Sequence, residues 1–261
     1  MNPVIVRNVE IGTGIPKICV PLIGRTKVEI LQMAKDVLPL DVDFVEWRGD
    51  WYEDILDFEK TIEVLRELRE VLQELPLLFT FRTTKEGGEK EIMLEDYLAL
   101  NQKAIASGYL DLIDVELFCG ENIVKSVIEA AHLQDVKVIV SNHDFQQTPT
   151  QKEIVSRLYQ MQMLGADILK MAVMPLNTKD VLILLSATEE MTSTGGIGPV
   201  ITMAMGELGV ISRLSGAVFG SAVTFGAAQK SSAPGQIEIK KLRTILEVIS
   251  VPDQNHHHQP K

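Results

Sequence analysis

Lys170 is the residue whose surroundings most strongly suggest chemistry, because it lies inside the otherwise apolar run ADILKMAVM. In a strand, alternation puts Lys170 on the same face as Ile168 and Ala172. On a buried face the charged form of the amine is disfavoured, and a neutral amine in a dry pocket can attack a carbonyl carbon. The structural alternative is a lysine that extends to a solvated rim or pairs with an acid.

His143 follows the preceding apolar run, VKVIVSN. An imidazole titrates near neutral pH and can carry protons. Neighbouring parallel strands lie about 4.8 Å apart, so a histidine one strand before Lys170 can reach the same substrate. Glu86 could accept the second ring N–H of His143 and fix its tautomer. A structural histidine and an exposed loop carboxylate are the alternatives.

Three arginines, Arg48, Arg82 and Arg213, stand at or after the ends of predicted strands. A guanidinium can hold a carboxylate through two parallel hydrogen bonds, whereas surface ion pairs are its more common role. The glycine-rich segment 194–198 could suggest a phosphate cradle. It precedes a predicted strand, at the opposite end of the sheet, and we interpret it as a turn.

Short apolar runs alternate with longer helical patterns along the whole chain. The predicted strands are 17–22, 44–48, 77–82, 112–117, 137–142, 168–173, 200–205 and 217–224. Near-continuous apolar strands are typical of parallel sheets covered on both faces. Eight strands joined by helix-length crossovers favour an α/β fold with a single-domain (β/α)₈ TIM barrel. An open doubly wound sheet is the alternative, but no G-x-G-x-x-G follows the first strand.

The predicted helices include 54–75, 178–191, 236–249 and a helix that starts within 148–153 and ends at Gly165. We expect a catalytic barrel domain over residues 1–250, with a mobile loop at 226–235 after strand eight. The tail, residues 251–261, contains three of the five histidines. A metal site there is conceivable, but a disordered end is favoured because no apolar residue nearby would order it.

The net charge of −11 argues against nucleic acid or an anionic membrane as the main partner. The chain shows neither a signal peptide nor an apolar run long enough to span a membrane, so a cytoplasmic protein is expected. Cys19 and Cys119 lie in or beside apolar runs, which predicts two buried free thiols.

Six motifs together resemble the type I 3-dehydroquinate dehydratase family. They are Glu46-Trp-Arg48, Thr80-Phe-Arg82-Thr with Glu86-Gly-Gly88, Ser141-Asn-His143-Asp-Phe145, Asp167-Ile-Leu-Lys170-Met-Ala-Val-Met-Pro175, Gly209-Val-Ile-Ser-Arg213 and Ser232-Ala-Pro-Gly-Gln236. The resemblance extends from about residue 4 to about residue 249. The order and spacing of six separate motifs make it specific.

The resemblance implies syn elimination of water from 3-dehydroquinate to give 3-dehydroshikimate, through a lysine Schiff base, in the shikimate pathway of aromatic amino acid biosynthesis. Carried over by position, Lys170 forms the Schiff base, His143 is the acid and base, and Glu86 is its partner. Arg213 binds the substrate carboxylate. The residues implied to contact hydroxyls and close a lid are Glu46, Arg48, Arg82, Ser232 and Gln236.

The resemblance also implies a homodimer that acts on a small-molecule substrate and needs no metal and no cofactor. One position departs from the family pattern. Pro21 ends the first predicted strand, where many members have a serine near the substrate, so a hydroxyl contact from this strand is not expected.

Two other functions fit part of the pattern. A class I Schiff-base aldolase on the same barrel also needs a lysine on strand six, with a phosphate site near strands seven and eight. A non-catalytic binding or sensor protein could use the same fold, because fold alone does not determine function. An intact set of Glu86, His143 and Lys170 argues against the binding protein.

Overall fold

The computed structural model describes residues 1–228 and 237–250 of the chain. Its main feature is a curled parallel sheet in which each strand pairs with the next along the chain. These strands are β3 (Lys17–Leu22), β4 (Phe44–Arg48), β5 (Leu77–Thr80), β6 (Leu112–Glu116), β7 (Lys137–Asp144), β8 (Ile168–Val173), β9 (Val200–Ala204) and β10 (Val223–Ala227). The N–H of Ala222 donates to the carbonyl oxygen of Val200 at 2.8 Å and joins the last strand to β9. The predicted (β/α)₈ barrel is confirmed.

Helices cover the outside of the sheet. They are α1 (Lys27–Val37), α2 (Phe58–Leu72), α3 (Leu94–Ala106), α4 (Glu121–His132), α5 (Gln151–Leu164), α6 (Thr178–Ser193), α7 (Val210–Leu214), α8 (Gly216–Phe219) and α9 (Ile239–Ile249). The predicted signals of α5 are confirmed, because Thr150 and Glu153 form a capping box and Gly165 ends the helix with a φ of 99°. None of the helices in the described ranges is long and apolar enough to cross a bilayer.

The predicted bounds of the eighth strand, 217–224, are wrong. Gly216–Phe219 form the short helix α8, which ends at Gly220 with a φ of 94°, and the strand runs from Val223 to Ala227. The left-handed turn at Gly220 interrupts an apolar run whose composition alone resembled one continuous strand. Gly226 and Ala227 therefore belong to a strand and not to the predicted loop, and they pair with β11 (Ile237–Glu238). Residues 229–236 lie outside the described ranges.

The interior of the barrel has two chemically different layers. Eight apolar side chains, one from each strand, fill the end where the strands begin, and we call them the lower layer. They are Cys19, Phe44, Leu78, Leu112, Ile139, Ile168, Ile201 and Val223. An antiparallel hairpin of β1 (Val4–Val6) and β2 (Val9–Ile11) packs against this layer through Val6 and Ile11. The barrel is therefore closed at this end.

Two residues further along β4, β5, β6, β7 and β8 the interior becomes polar. This upper layer contains Glu46, Thr80, Asp114, Ser141 and Lys170, all buried. Because side chains alternate along a strand, each of these five residues lies on the same inward face as the lower-layer residue two positions before it. The change from apolar to charged residues places the chemistry at the carboxyl ends of the strands, where barrel enzymes have their active sites.

Candidate active site

A cleft opens above the upper layer at the carboxyl ends of the strands, with about 500 Å³ of space including its mouth. Seven of the nine residues predicted for the site line it together, on strands β4, β7 and β8 and on the connections that follow β5 and β9. These seven are Glu46, Arg48, Arg82, Glu86, His143, Lys170 and Arg213. The other two, Ser232 and Gln236, lie outside the described residues.

Lys170 lies near the middle of β8 with only 3% of its surface exposed. Its Nζ donates a hydrogen bond to Oδ2 of Asp114 at 3.0 Å and lies 3.7 Å from Oε1 of Glu46. The aromatic ring of Phe225 covers the same nitrogen, with 4.7 Å between Nζ and the ring centroid. The expected inward orientation is therefore observed, and two carboxylates and one ring fix the position of the amine.

Glu86 and His143 form the predicted pair. Oε2 of Glu86 lies 2.9 Å from Nδ1 of His143 and also accepts the backbone N–H of His143 at 2.9 Å. The other carboxylate oxygen, Oε1, accepts a hydrogen bond from the amide of Asn142 at 3.1 Å. These contacts fix the ring and leave Nε2 as the imidazole nitrogen available for a substrate.

Burial and neighbouring cations keep the imidazole uncharged. Burial, followed by the charges of Arg82, Lys170 and Arg48, holds the pKa of His143 well below its usual value. Burial also raises the pKa of Glu86 to about 8, although Arg82 and the Asn142 amide act in the opposite direction. Because the two side chains share a hydrogen bond, they titrate as a pair, and the imidazole can accept a proton at Nε2 once the pair has lost one.

Arg48 and Arg82 are each held by buried carboxylates. Asp50 receives two parallel hydrogen bonds from Arg48, both 2.8 Å long. Arg82 donates to Oδ1 of Asp114 at 2.8 Å and to Oε1 of Glu116 at 3.1 Å. Pairs of this kind fix both charge and direction, so the guanidinium groups are oriented before a ligand arrives.

Arg213 reaches the cleft from α7, the helix after β9. Its side chain is buried, and its Nη1 lies 3.8 Å from the sulfur of Met203. Burial lowers the pKa of Arg213 to about 10, which leaves the guanidinium charged at neutral pH. A cation in such an apolar part of the cleft would attract an anionic group strongly.

The loop that carries Glu86 depends on a glycine. Gly87 follows the short 3₁₀ turn Thr84–Glu86 with a φ of 81°. A β-carbon at this position would lie 2.3 Å from the ring of Phe145, which follows β7. Gly87 therefore allows the Glu86 turn to approach the segment that carries His143.

Several site residues were not among those predicted from the sequence. The cleft is also lined by Phe145, Ala172, Met203, Met205 and Phe225, and its charged side chains are held from below by Asp50, Asp114, Glu116 and Ser141. Asp114 and Glu116 do carry a signal, because they alternate within an otherwise apolar strand, LIDVE. Met and Phe carry no comparable signal, because they are equally common in a core.

The fold and this cleft are those of a (β/α)₈-barrel enzyme with an amine, an imidazole and guanidinium groups at the mouth of the barrel. A family model described as type I 3-dehydroquinase matches residues 18–253. The chain therefore belongs to the type I 3-dehydroquinase family, whose members are hydro-lyases.

Individual relatives are similar in sequence to nearly the whole of this chain. A 3-dehydroquinate dehydratase of Clostridioides difficile is 52% identical over 244 residues, which cover 94% of this chain and 96% of the relative. One of Listeria welshimeri is 52% identical over 249 residues, 95% of this chain and 98% of the relative. The crystal structure of a type I 3-dehydroquinate dehydratase from Clostridium difficile, with covalent modified comenic acid, has a TM-score of 0.93 and 51% identity, and the match covers 95% and 98% of the two chains.

Proposed function

We propose that this protein removes water from 3-dehydroquinate to give 3-dehydroshikimate, by syn elimination through a Schiff base on Lys170. The observation that carries the proposal is the buried amine of Lys170, held by Asp114 and Glu46 in the same cleft as the Glu86–His143 pair. The relatives named for this activity share about half of the residues over nearly the full chain. The C. difficile structure with covalent modified comenic acid also supports covalent chemistry in the family.

The substrate is held through its carboxylate and its hydroxyl groups. Arg213 binds the carboxylate, because it brings a buried cation to the apolar side of the cleft near Met203. Arg48 and Arg82, each held by carboxylates, contact hydroxyls together with Glu46. The resemblance to the family assigns further hydroxyl contacts and the lid to Ser232 and Gln236, which lie outside the described residues. Oriented binding of this kind lowers the entropic cost of the later steps.

The first chemical stage is imine formation. Lys170 gives one ammonium proton to His143, and the resulting neutral amine attacks the ketone carbon. The oxygen of the carbinolamine then takes one proton from the nitrogen and the other back from His143, and it leaves as water. The product is a protonated imine, which accepts an electron pair more readily than a carbonyl does. The C–H bond on the neighbouring carbon becomes acidic for that reason.

The second stage is elimination. His143 takes the proton of that C–H bond at Nε2, and the electron pair moves to the iminium nitrogen to give an enamine. His143 then returns the proton to the leaving hydroxyl, which departs as water on the same face. Glu86 keeps the proton on Nδ1 and stabilises the imidazolium while it exists. Hydrolysis of the remaining imine releases the product and regenerates Lys170.

The test combines turnover with covalent trapping. Purified protein with 3-dehydroquinate should produce the ultraviolet absorbance of the enone product, whereas a sugar phosphate should not be cleaved. Borohydride added during turnover should leave a stable mass adduct on the peptide that contains Lys170. Lys85→Ala is the matched control, because Lys85 is exposed on the loop beside Glu86, and this variant should still be trapped. Turnover without an adduct on Lys170 would reject the covalent mechanism.

A homodimer and a cytoplasmic location are also part of this proposal, carried over from the resemblance to the family. Light scattering from the purified protein during gel filtration measures the mass of the assembly and so tests the homodimer directly. A mass of one chain, 29.0 kDa, would contradict the homodimer.

A further inference from the structure

Asp114 is a carboxylate with no exposed surface in the middle of β6. Its Oδ1 accepts hydrogen bonds from Ser141 Oγ at 2.6 Å and from Arg82 Nη2 at 2.8 Å. Its Oδ2 accepts the hydrogen bond from Lys170 Nζ at 3.0 Å. Burying a carboxylate costs free energy unless both oxygens accept hydrogen bonds. In Asp114 these hydrogen bonds come partly from two residues of the site, Arg82 and Lys170. Asp114 therefore links Lys170 to Arg82.

The charge of Asp114 is constant through the neutral pH range. Burial raises the pKa of this carboxyl, but Arg82, Lys170 and the Ser141 hydroxyl outweigh it and lower the pKa to about 2. A group this acidic cannot serve as a proton acceptor at neutral pH. Its effect on Lys170 must come from fixed negative charge and from geometry.

Asp114 acts from the side of Lys170 that faces away from the substrate. Among the described residues, Glu46 lines the cleft and Asp114 does not. Glu46 is also further from Nζ, at 3.7 Å, and its Oε1 accepts the hydroxyl of Thr80 at 2.9 Å. The closer carboxylate is thus the one that a bound substrate does not displace.

We propose that Asp114 is the counterion that keeps the Lys170 imine protonated while the proton is removed from the substrate. This inference rests on the proposed Schiff base. When the amine becomes an iminium group, the nitrogen keeps its positive charge and one N–H, and Oδ2 remains beside it. Asp114 neither gains nor loses a proton in the cycle. Its negative charge favours the protonated imine, which is the form that accepts the electron pair.

The experiment measures protonation of the imine as a function of pH. Cyanoborohydride reduces protonated imines and leaves neutral ones, so the rate of adduct formation on Lys170 reports the protonated fraction. With 3-dehydroquinate present, the rate in the unmodified enzyme should stay nearly constant between about pH 6 and about pH 9. In Asp114→Asn the rate should fall by about tenfold or more over the same range, because the counterion is lost.

Glu116→Gln is the matched control. Glu116 is also a buried carboxylate of β6 and also binds Arg82, with 3.1 Å between Oε1 and Nη1. The other hydrogen bonds that its carboxylate accepts come from the backbone N–H and the hydroxyl of Thr83. This variant should change substrate affinity through Arg82 and keep the flat pH dependence of reduction. If the rate of adduct formation depended on pH in the same way in Asp114→Asn and in the unmodified enzyme, the counterion role would be overturned.

A second measurement needs no substitution, in case Asp114→Asn does not fold. Enzyme labelled with ¹⁵N at the lysine side chains and loaded with 3-dehydroquinate should show an iminium nitrogen up to about pH 9. A neutral imine nitrogen at neutral pH would overturn the proposal. Failure of the Schiff base itself looks different, because borohydride then leaves no adduct on Lys170 in the unmodified enzyme.

Discussion

The two layers of the barrel interior serve opposite purposes, although five of the eight strands contribute a residue to both. Ile168 and Lys170 lie two residues apart on one face of β8, and both are nearly inaccessible to water. Ile168 belongs to the cluster of buried hydrophobic side chains that contains the rest of the lower layer. Lys170 lies among carboxylates, a hydroxyl and guanidinium groups that must all be paired.

The difference shows how one core can serve both stability and chemistry. The lower layer removes apolar surface from water, which stabilises the fold without directional bonds. The upper layer holds charges in a low dielectric, where each contributes little net stability but interacts strongly with a ligand. We therefore expect substitutions in the upper layer to reduce activity more than stability, and substitutions in the lower layer to do the reverse.

The largest effect is expected for Lys170→Met. Without the amine no imine can form, and turnover of 3-dehydroquinate should fall by roughly 10⁴-fold or more. The variant should remain folded, since Asp114 keeps its hydrogen bonds from Arg82 and Ser141. Steady-state kinetics and circular dichroism measure the two effects. Turnover within tenfold of the unmodified enzyme would remove the basis for the catalytic role of the upper layer.

The opposite result is expected for Ile168→Ala, two residues earlier on the same face. This side chain is fully buried, and its loss leaves a cavity that should lower the free energy of unfolding by about 2–5 kcal/mol. The folded fraction should keep most of its turnover, because no polar contact of the cleft is removed. Urea unfolding gives the stability. A large loss of turnover with unchanged stability would contradict the separation of the layers.

Much of this organisation could be predicted from the sequence, for a physical reason. Several of the buried parallel strands are near-continuous apolar runs, and the predicted bounds of seven of the eight barrel strands agree with the observed ones within two residues. Lys170 was conspicuous because a charge in such a run is costly. The predicted boundaries of the eighth strand are wrong because Gly220 turns the chain within an apolar segment.

Two other features could not be predicted from a local pattern, for different reasons. The hairpin of β1 and β2 has three residues in each strand, too few for a periodic signal. The link from Asp114 to Lys170 spans two strands, with Ser141 of β7 between them. Only the register of the closed sheet brings these three residues together.

An intermediate effect is expected for Glu86→Gln, which tests the electrostatics of the upper layer. In the unmodified enzyme, kcat/KM should fall as the pH drops below the apparent pKa of the Glu86–His143 pair, since the protonated pair cannot act as a base. Removing the carboxylate leaves His143 beside cations that lower its pKa. The acidic limb of the kcat/KM profile should therefore move to lower pH. Turnover should fall by roughly 10–100-fold, because Gln cannot stabilise the imidazolium.

Asp144→Asn is the control for that profile. Asp144 follows His143 in the chain, but its Oδ1 accepts the backbone N–H groups of Gln146 and Gln147. The acidic limb of the kcat/KM profile of Asp144→Asn should therefore coincide with that of the unmodified enzyme. A shift of the Glu86→Gln limb to higher pH would mean that the sign assigned to the surrounding cations is wrong.

The smallest effect is expected for Glu74→Gln, at the closed end of the barrel. Glu74 forms an ion pair with Arg7 of the hairpin, with 3.0 Å between Oε2 and Nη1, and its side chain is 83% exposed. Solvent screens such a pair, so the free energy of unfolding should change by less than about 1 kcal/mol and turnover should not change. Thermal melting at low and high salt measures this. A larger loss would mean that surface charge, and not the apolar lower layer, holds the hairpin against the barrel.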